Sequence, residues 1–326
     1  MSQFLSSLRH FLGDDVAALL EDPSVSEIYC NDDLVLRSDG REGRRALGIH
    51  LELRNLQGLF RMLASRADAP LDEEHPIRDF ALPPELGGGR LHVVLPPVSR
   101  EASFSLRKKA NRLLLLPELL AHGALCETAY QRLVEASQAS KSVLVVGPTN
   151  SGKTNLLMAL LHQRVSHRPG DRYAILEDTP EISCPASDVL FQRTTDRISL
   201  WDLVRATLRS SPDYVVVGEV RGREAYPLLD MLSTGHPGAA TVHSHGCLAG
   251  LRRLDRLARL DLGERAPSQA ELIAEVFGTV VTLRYQNGRR TVSELVTVHG
   301  WNPEQGFLLE SHLPAPQAGP NQGDES

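Results

Sequence analysis

Cysteine is scarce in this 326-residue chain, and the four present, Cys30, Cys126, Cys184 and Cys247, are widely scattered. Without a C-x-x-C pair, neither a zinc ribbon nor a disulfide scaffold fits, and reduced thiols in a cytoplasmic protein are the plain reading. Long apolar runs are also missing. No stretch approaches the roughly 18 residues needed to cross a bilayer, so any membrane role is peripheral. The first residues, Met1 to Asp14, mix Ser, Arg, His and Asp with apolar side chains, which suits an amphipathic helix better than a signal peptide. Leu5, Leu8, Phe11 and Leu12 are expected to pack against the first domain rather than dock on a membrane. Excess basic charge is absent too. The net charge is −6 and aromatics make up 5%, which gives no support to stable nucleic-acid binding over a broad surface.

What is present suits a soluble globular protein: 41% hydrophobic and 23% charged residues, in a chain long enough for two domains. The first 107 residues read as a small α+β domain. Ser2 to Leu20 has a helical pattern; Val25–Cys30 and Leu34–Leu36 alternate as strands; Asn55–Arg66 is helical; Arg90–Leu95 and Ser103–Arg107 are further strands. A linker is expected over 108–120, with Pro117 placed to start a helix. From 121 to 313, strands at Val143–Val146, Tyr173–Leu176, Tyr214–Val217 and Ala239–His243 alternate with helices near 154–166, 199–211 and 223–233. That alternation predicts an α/β domain with a mostly parallel sheet covered on both faces. Helices at 248–260 and 268–277 and a hairpin around Asn287-Gly288 follow. The last residues, 314–326, are Pro/Gly/Gln-rich and expected to be disordered.

The chemistry begins at Gly147-Pro148-Thr149-Asn150-Ser151-Gly152-Lys153-Thr154, directly after an apolar strand and before a leucine-rich helix. Glycines let backbone N–H groups turn inward onto phosphate oxygens. Lys153 brings a point charge to the β/γ-phosphates, Thr154 offers a hydroxyl to Mg²⁺, and the helix dipole favours the same anion. A mere glycine turn between strand and helix would not require Lys-Thr at its end.

Hydrolysis needs further groups, an acid to help hold Mg²⁺ and one to orient water. Glu177-Asp178, with Glu181 nearby, and Glu219 both follow predicted strands, where ligand sites of α/β folds belong. A single acid there could equally be a helix cap or a solvated turn; two in order after a phosphate loop favour function. His236 and His243 flank a small-residue strand and could both face a γ-phosphate. Zinc ligation is the competing idea, and no cysteine or carboxylate at suitable spacing completes such a site. Arg107, Arg205, Arg209, Arg221 and Arg223 supply further positive charge, and for any one of them a solvated or salt-bridged face is the simpler reading.

Four ordered elements resemble one family, the secretion ATPases of type II and type IV systems: Gly147–Thr154, the acidic box Ile175–Glu181, the Gly218-Glu219 ending of Pro212–Gly222, and the histidine box through His243. Arg193-Thr-Thr-Asp196 with Leu203–Asp213 is most similar to TrbB-type conjugal transfer ATPases. The resemblance implies a RecA-like P-loop domain preceded by a PAS-like domain, assembled as a homohexameric ring with ATP and Mg²⁺ at the interface of its two domains. It further implies that Lys153 and Thr154 hold phosphate and Mg²⁺, Glu177 helps position Mg²⁺ or water, and Glu219 polarises the attacking water. His243 would sense the γ-phosphate with His236 as a weaker companion, and Arg107 or Arg221 would touch nucleotide. The implied activity is an Mg²⁺-dependent ATPase of a type IV secretion or conjugation machine, bound peripherally to inner-membrane components. A type IV pilus extension or retraction motor, or a type II secretion motor, is the alternative.

Overall fold

The computed structural model describes residues 3–22, 24–40, 43–67, 69–82, 89–108, 113–263, 266–286 and 288–314. The tail expected to be disordered thus lies, from 315 onward, outside the described residues, as do 109–112 of the expected linker. The chain divides into two compact units: Met1–Arg112 with Thr179–Glu181, and Leu113–Asp178 with Ile182–Ser326.

In the first unit, helices α1 (Gln3–Leu12) and α2 (Asp14–Glu21) replace the single helix expected there. Gly13, at φ 85, breaks the run, because only glycine takes that conformation without a steric penalty. The side chains of Leu5 and Leu8 lie outside the described residues; Leu12 is buried and Phe11 packs beside it in the core. Strands β1 (Val25–Cys30), β2 (Val35–Gly40) and β3 (Arg45–His50), helix α3 (Leu53–Ala67), and strands β4 (Ile77–Ala81), β5 (Gly89–Val94) and β6 (Ser103–Lys108) follow. They form a six-stranded antiparallel sheet in the order β3-β2-β1-β6-β5-β4. The apolar stripe Leu56, Leu59, Phe60 and Leu63 of α3 is buried in this unit's core, at the i, i+3, i+4, i+7 spacing of one helix face.

The second unit opens with α4 (Leu116–Ala121) and α5 (Glu127–Gln138). The linker expected over 108–120 therefore ends early: Pro117 sits in the first turn of α4, and Leu116 is buried in this unit's core. Then come β7 (Ser142–Val146), α6 (Lys153–His167), β8 (Tyr173–Glu177), β9 (Val189–Arg193), α7 (Leu200–Thr207), β10 (Tyr214–Val217), α8 (Ala225–Ser233), β11 (Gly238–Val242), α9 (Cys247–Leu262), α10 (Ala270–Val276), β12 (Phe277–Gln286), β13 (Arg289–Asn302) and β14 (Gly306–Ser311). The eight-stranded sheet runs β14-β13-β12-β7-β11-β10-β8-β9. Strands β12 through β9 are parallel, and β13 and β14 add an antiparallel edge.

Why the central strands read as unbroken apolar runs is clear from their packing. Val143, Val145, Ile175 and Val216 face the core under α4, α5 and α6, while Leu144, Val146, Leu176 and Val217 face the core under α7 to α10. A strand buried on both faces has no polar side to alternate with. Strands β3, β4, β9 and β14 escape sequence reading for the opposite reason, since they lie at or near sheet edges and are largely exposed or half-exposed. No helix of the described residues is long and apolar enough to cross a membrane.

The buried centre and the exposed edge should differ in tolerance. Ile175→Ala, at a fully buried position in β8, is expected to cost about 2–5 kcal/mol. Phe191→Ser, on edge strand β9 where the residue is 55% exposed, should stay within about 1 kcal/mol. Denaturant unfolding of the two variants checks both.

Candidate active site

Four strand ends meet at one edge of the parallel sheet. Along the sheet, β8, β10, β11 and β7 are consecutive. Just past their carboxyl ends stand Asp178, Glu219, His243 and the loop Gly147–Thr154 respectively. Residues spread over the chain from 147 to 243 are thus neighbours because parallel pairing aligns the strand ends, with Val217 registered on Leu176 and Val242 on Val146.

The loop after β7 is built to keep backbone amides exposed inward. Gly147 tolerates no side chain: a Cβ there would stand 2.5 Å from Ser151 Oγ and 2.8 Å from the Leu283 carbonyl oxygen. Asn150 (φ 61) and Gly152 (φ 94) turn the chain through the left-handed region. Gly152 is the N-cap of α6 and supplies no side-chain cap, so the helix's first N–H groups are left for an anion. Ser151 is fully buried and its Oγ has no hydrogen-bond partner. A buried, unsatisfied hydroxyl beside an uncapped helix terminus fits a phosphate oxygen.

Lys153, Glu219 and His243 form one connected group. Lys153 is buried and its Nζ donates to the Pro148 carbonyl at 2.9 Å and to His243 Nδ1 at 3.3 Å. Since an ammonium only donates, Nδ1 must accept, which assigns the imidazole proton to Nε2. Nε2 lies 2.6 Å from Glu219 Oε1. That contact is short but bent, and Oε1 is buried without an in-line donor. The second oxygen, Oε2, accepts from Arg221 Nη2 at 2.7 Å, and Arg221 Nη1 reaches Asp178 Oδ2 at 3.2 Å. Burial works to raise the Glu219 carboxyl, but its contacts with His243 and Arg221 more than offset it and hold the group at about 2. The same carboxylate raises Arg221, chiefly through their hydrogen bond.

Several backbone ties fix this row. Thr241 Oγ1 donates to the Gly218 carbonyl at 2.7 Å, and Val220 N–H to the Thr241 carbonyl at 2.8 Å. The carboxylate of buried Glu224 accepts from the N–H groups of Arg221 and Gly222, at 2.5 and 2.8 Å. Glu294 on β13 accepts from Cys247 N–H at 2.9 Å, anchoring the start of α9 just after His243, and pairs with Arg284 at 3.1 Å. Sequence reasoning missed Thr241, Glu224 and Glu294. Only Glu224 left a signal, as an acid directly after the Arg-Gly-Arg run.

Other candidates sit differently. Glu177 ends β8 and is buried, with Oε1 accepting the Ile182 N–H at 2.9 Å. Thr154, second in α6, is half-buried. His236 lies before the amino end of β11, a whole strand of five residues away from His243, and its Nδ1 contacts Thr234 Oγ1 at 3.0 Å. The pairing of both histidines on one phosphate is therefore corrected: a five-residue strand separates them by roughly 17 Å. Arg205 stacks on Trp201, Arg223 pairs with Asp261, and Arg209 is exposed. Arg107 is an exposed residue of β6 in the first unit. A cavity of about 380 Å³ opens beyond Arg221, lined by Asp178, Thr195, Ser199 and Glu224 among others, rather than over the phosphate loop. Among the described residues no cluster of His, Cys, Asp and Glu is arranged to hold a metal ion by protein ligands alone.

Comparison with known proteins agrees with this architecture. Residues 51–298 match the model of the family described as type II/IV secretion system protein. The chain is 34% identical to a probable conjugal transfer protein TrbB of Sinorhizobium fredii, over 91% of this chain and 90% of that one. It is 26% identical to the type IV secretion system protein VirB11 of Bartonella quintana, over 86% and 90%. The solved structure of the ATPase DotB from Legionella pneumophila superposes with a TM-score of 0.62 at 17% identity, covering 87% of this chain and 80% of that one, which establishes a shared fold. The chain belongs to the type II/IV secretion system protein family.

The Glu219 contacts make a pH-dependent contribution to stability. Its folded value of about 2 lies below the ordinary 4.5, so the contribution is complete above 4.5 and is lost as pH falls toward 2. Glu219→Gln cannot titrate. The melting-temperature difference between the native protein and this variant is expected to shift progressively against the native protein between pH 4.5 and 2, and to be flat from pH 5 to 7.

Proposed function

We propose that this chain is an Mg²⁺-dependent ATPase that powers a type IV secretion or conjugation machine. The observation that carries the reading is the connected group Lys153–His243–Glu219, which joins the phosphate loop to an acid on another strand. The β- and γ-oxygens of a triphosphate laid along the loop would accept hydrogen bonds from the loop amides, the α6 terminus and Lys153. Its γ-end would then lie toward β11 and β10, beside His243 and Glu219.

In this reading Glu219 orients the attacking water. A carboxylate held at about 2 accepts protons poorly at neutral pH, and phosphoryl transfer through a loose transition state asks mainly for positioning and charge. The Oε1 of Glu219 faces His243 and its Oε2 Arg221, so both oxygens are fixed in place before a water arrives. His243 touches both Lys153 and Glu219, so a γ-phosphate that draws Lys153 away is felt at the acid. Thr154 and Glu177 would hold Mg²⁺ with phosphate oxygens and water completing its shell, which suits an ion that keeps several waters. When bound, the ion neutralises charge on the phosphates. Arg221, engaged with Glu219 and Asp178, acts on the acid; Arg107 remains the nucleotide contact that the resemblance offers.

The conjugal transfer relatives support the machine, and the family resemblance supports a homohexameric ring working in the cytoplasm against inner-membrane components. Lys153→Ala is expected to abolish steady-state phosphate release. Glu219→Gln should retain ATP binding while losing at least about 100-fold in kcat. Full turnover by either variant would end this reading. In the presence of ATP, the Glu219→Gln protein should run as six copies by mass photometry; a monomer under those conditions would refute the ring.

A further inference from the structure

Arg290 reaches the phosphate loop from the far side of the sequence. It stands near the start of β13 as the cross-strand partner of Tyr285, with its guanidinium 5.2 Å from the centre of that ring. Its Nε–H donates to the Asn150 carbonyl at 2.9 Å, a contact across 140 residues. The carboxylate on the same strand, Glu294, pairs with Arg284. The guanidinium of Arg290, beside the Tyr285 ring, is engaged with a neutral carbonyl in the middle of the loop.

That contact bears on how the loop is ordered. Asn150, at φ 61, occupies the left-handed region, which asparagine enters more readily than other side-chain-bearing residues and which the Arg290 contact favours further. The Arg290 stem also covers the next turn, its Cδ lying 3.2 Å from where a Cβ on Gly152 would be. Asn150 is thus tied to a side chain rooted in a paired hairpin, and the stem of that side chain lies beside Gly152. A loop already ordered loses less conformational freedom when polyphosphate binds, and the saving appears as affinity.

We propose that Arg290 is a positioning residue for the phosphate loop: by tying down Asn150 it sets the affinity for the polyphosphate part of the nucleotide and leaves the chemical step alone. This rests on the nucleotide-binding reading above. The test uses the full chain and calorimetric titration with ATP and, separately, inorganic tripolyphosphate, alongside kcat and KM. Arg290→Met keeps the stem and removes the donor; Arg290→Lys restores a donor and the charge. Arg290→Met is expected to weaken both ligands by the same factor, about tenfold, and to raise KM with kcat changed by less than about twofold. Arg290→Lys should recover most of the loss, and thermal melting should show all proteins folded.

Weakened ATP with unchanged tripolyphosphate would overturn the proposal and make Arg290 a nucleoside contact. Unchanged affinity for both, or a fall in kcat at constant KM, would overturn it as well. Native protein that binds neither ligand would instead sink the nucleotide reading on which it rests.

Discussion

Alternation of charge across four neighbouring strand ends governs this molecule. Asp178, Arg221, Glu219, His243 and Lys153 succeed one another along the sheet edge, each acid lying beside a positive or proton-donating group. No local stretch of chain could build that row. It exists because β8, β10, β11 and β7 are consecutive and parallel, so their carboxyl ends come out together. Isolated, a buried carboxylate would be driven toward its neutral form. In this row it is held ionised far below neutrality, which fits a group that directs a water molecule rather than one that carries its proton.

The parts legible in the sequence were those whose chemistry is compressed into a few consecutive residues. Gly147–Thr154 announces itself because a phosphate loop needs glycines, a lysine and a hydroxyl at fixed spacing. Glu219 was legible as a strand-end residue because its strand is an unbroken apolar run, and His243 because it closes a buried strand of small residues. Strands β3 and β9 were not, since exposure removes the pattern that a buried face imposes. His236 misled for a related reason: proximity in sequence to His243 suggested a shared role, while a strand separates its two ends by its full length.

Long-range supports were illegible altogether. Arg290 and Glu294 belong to a hairpin region that the sequence marks only by Asn-Gly, yet one bonds the phosphate loop and the other the start of α9. Such contacts depend on pairing register between strands distant in sequence, and a solvent-facing arginine looks the same whether or not it has an occupation. The hairpin is thus more than an edge finishing the sheet, because it reaches both elements that border the site.

Helices α6 and α9 both begin beside this row of side chains, and both would attract anions by their geometry alone. At α9 the place is already taken: the Glu294 carboxylate lies on the Cys247 amide, itself steadied by Arg284. At α6 the glycine N-cap offers nothing of the kind. A built-in anion thus shuts one door, and the door left open, at α6, is the one whose threshold carries a lysine.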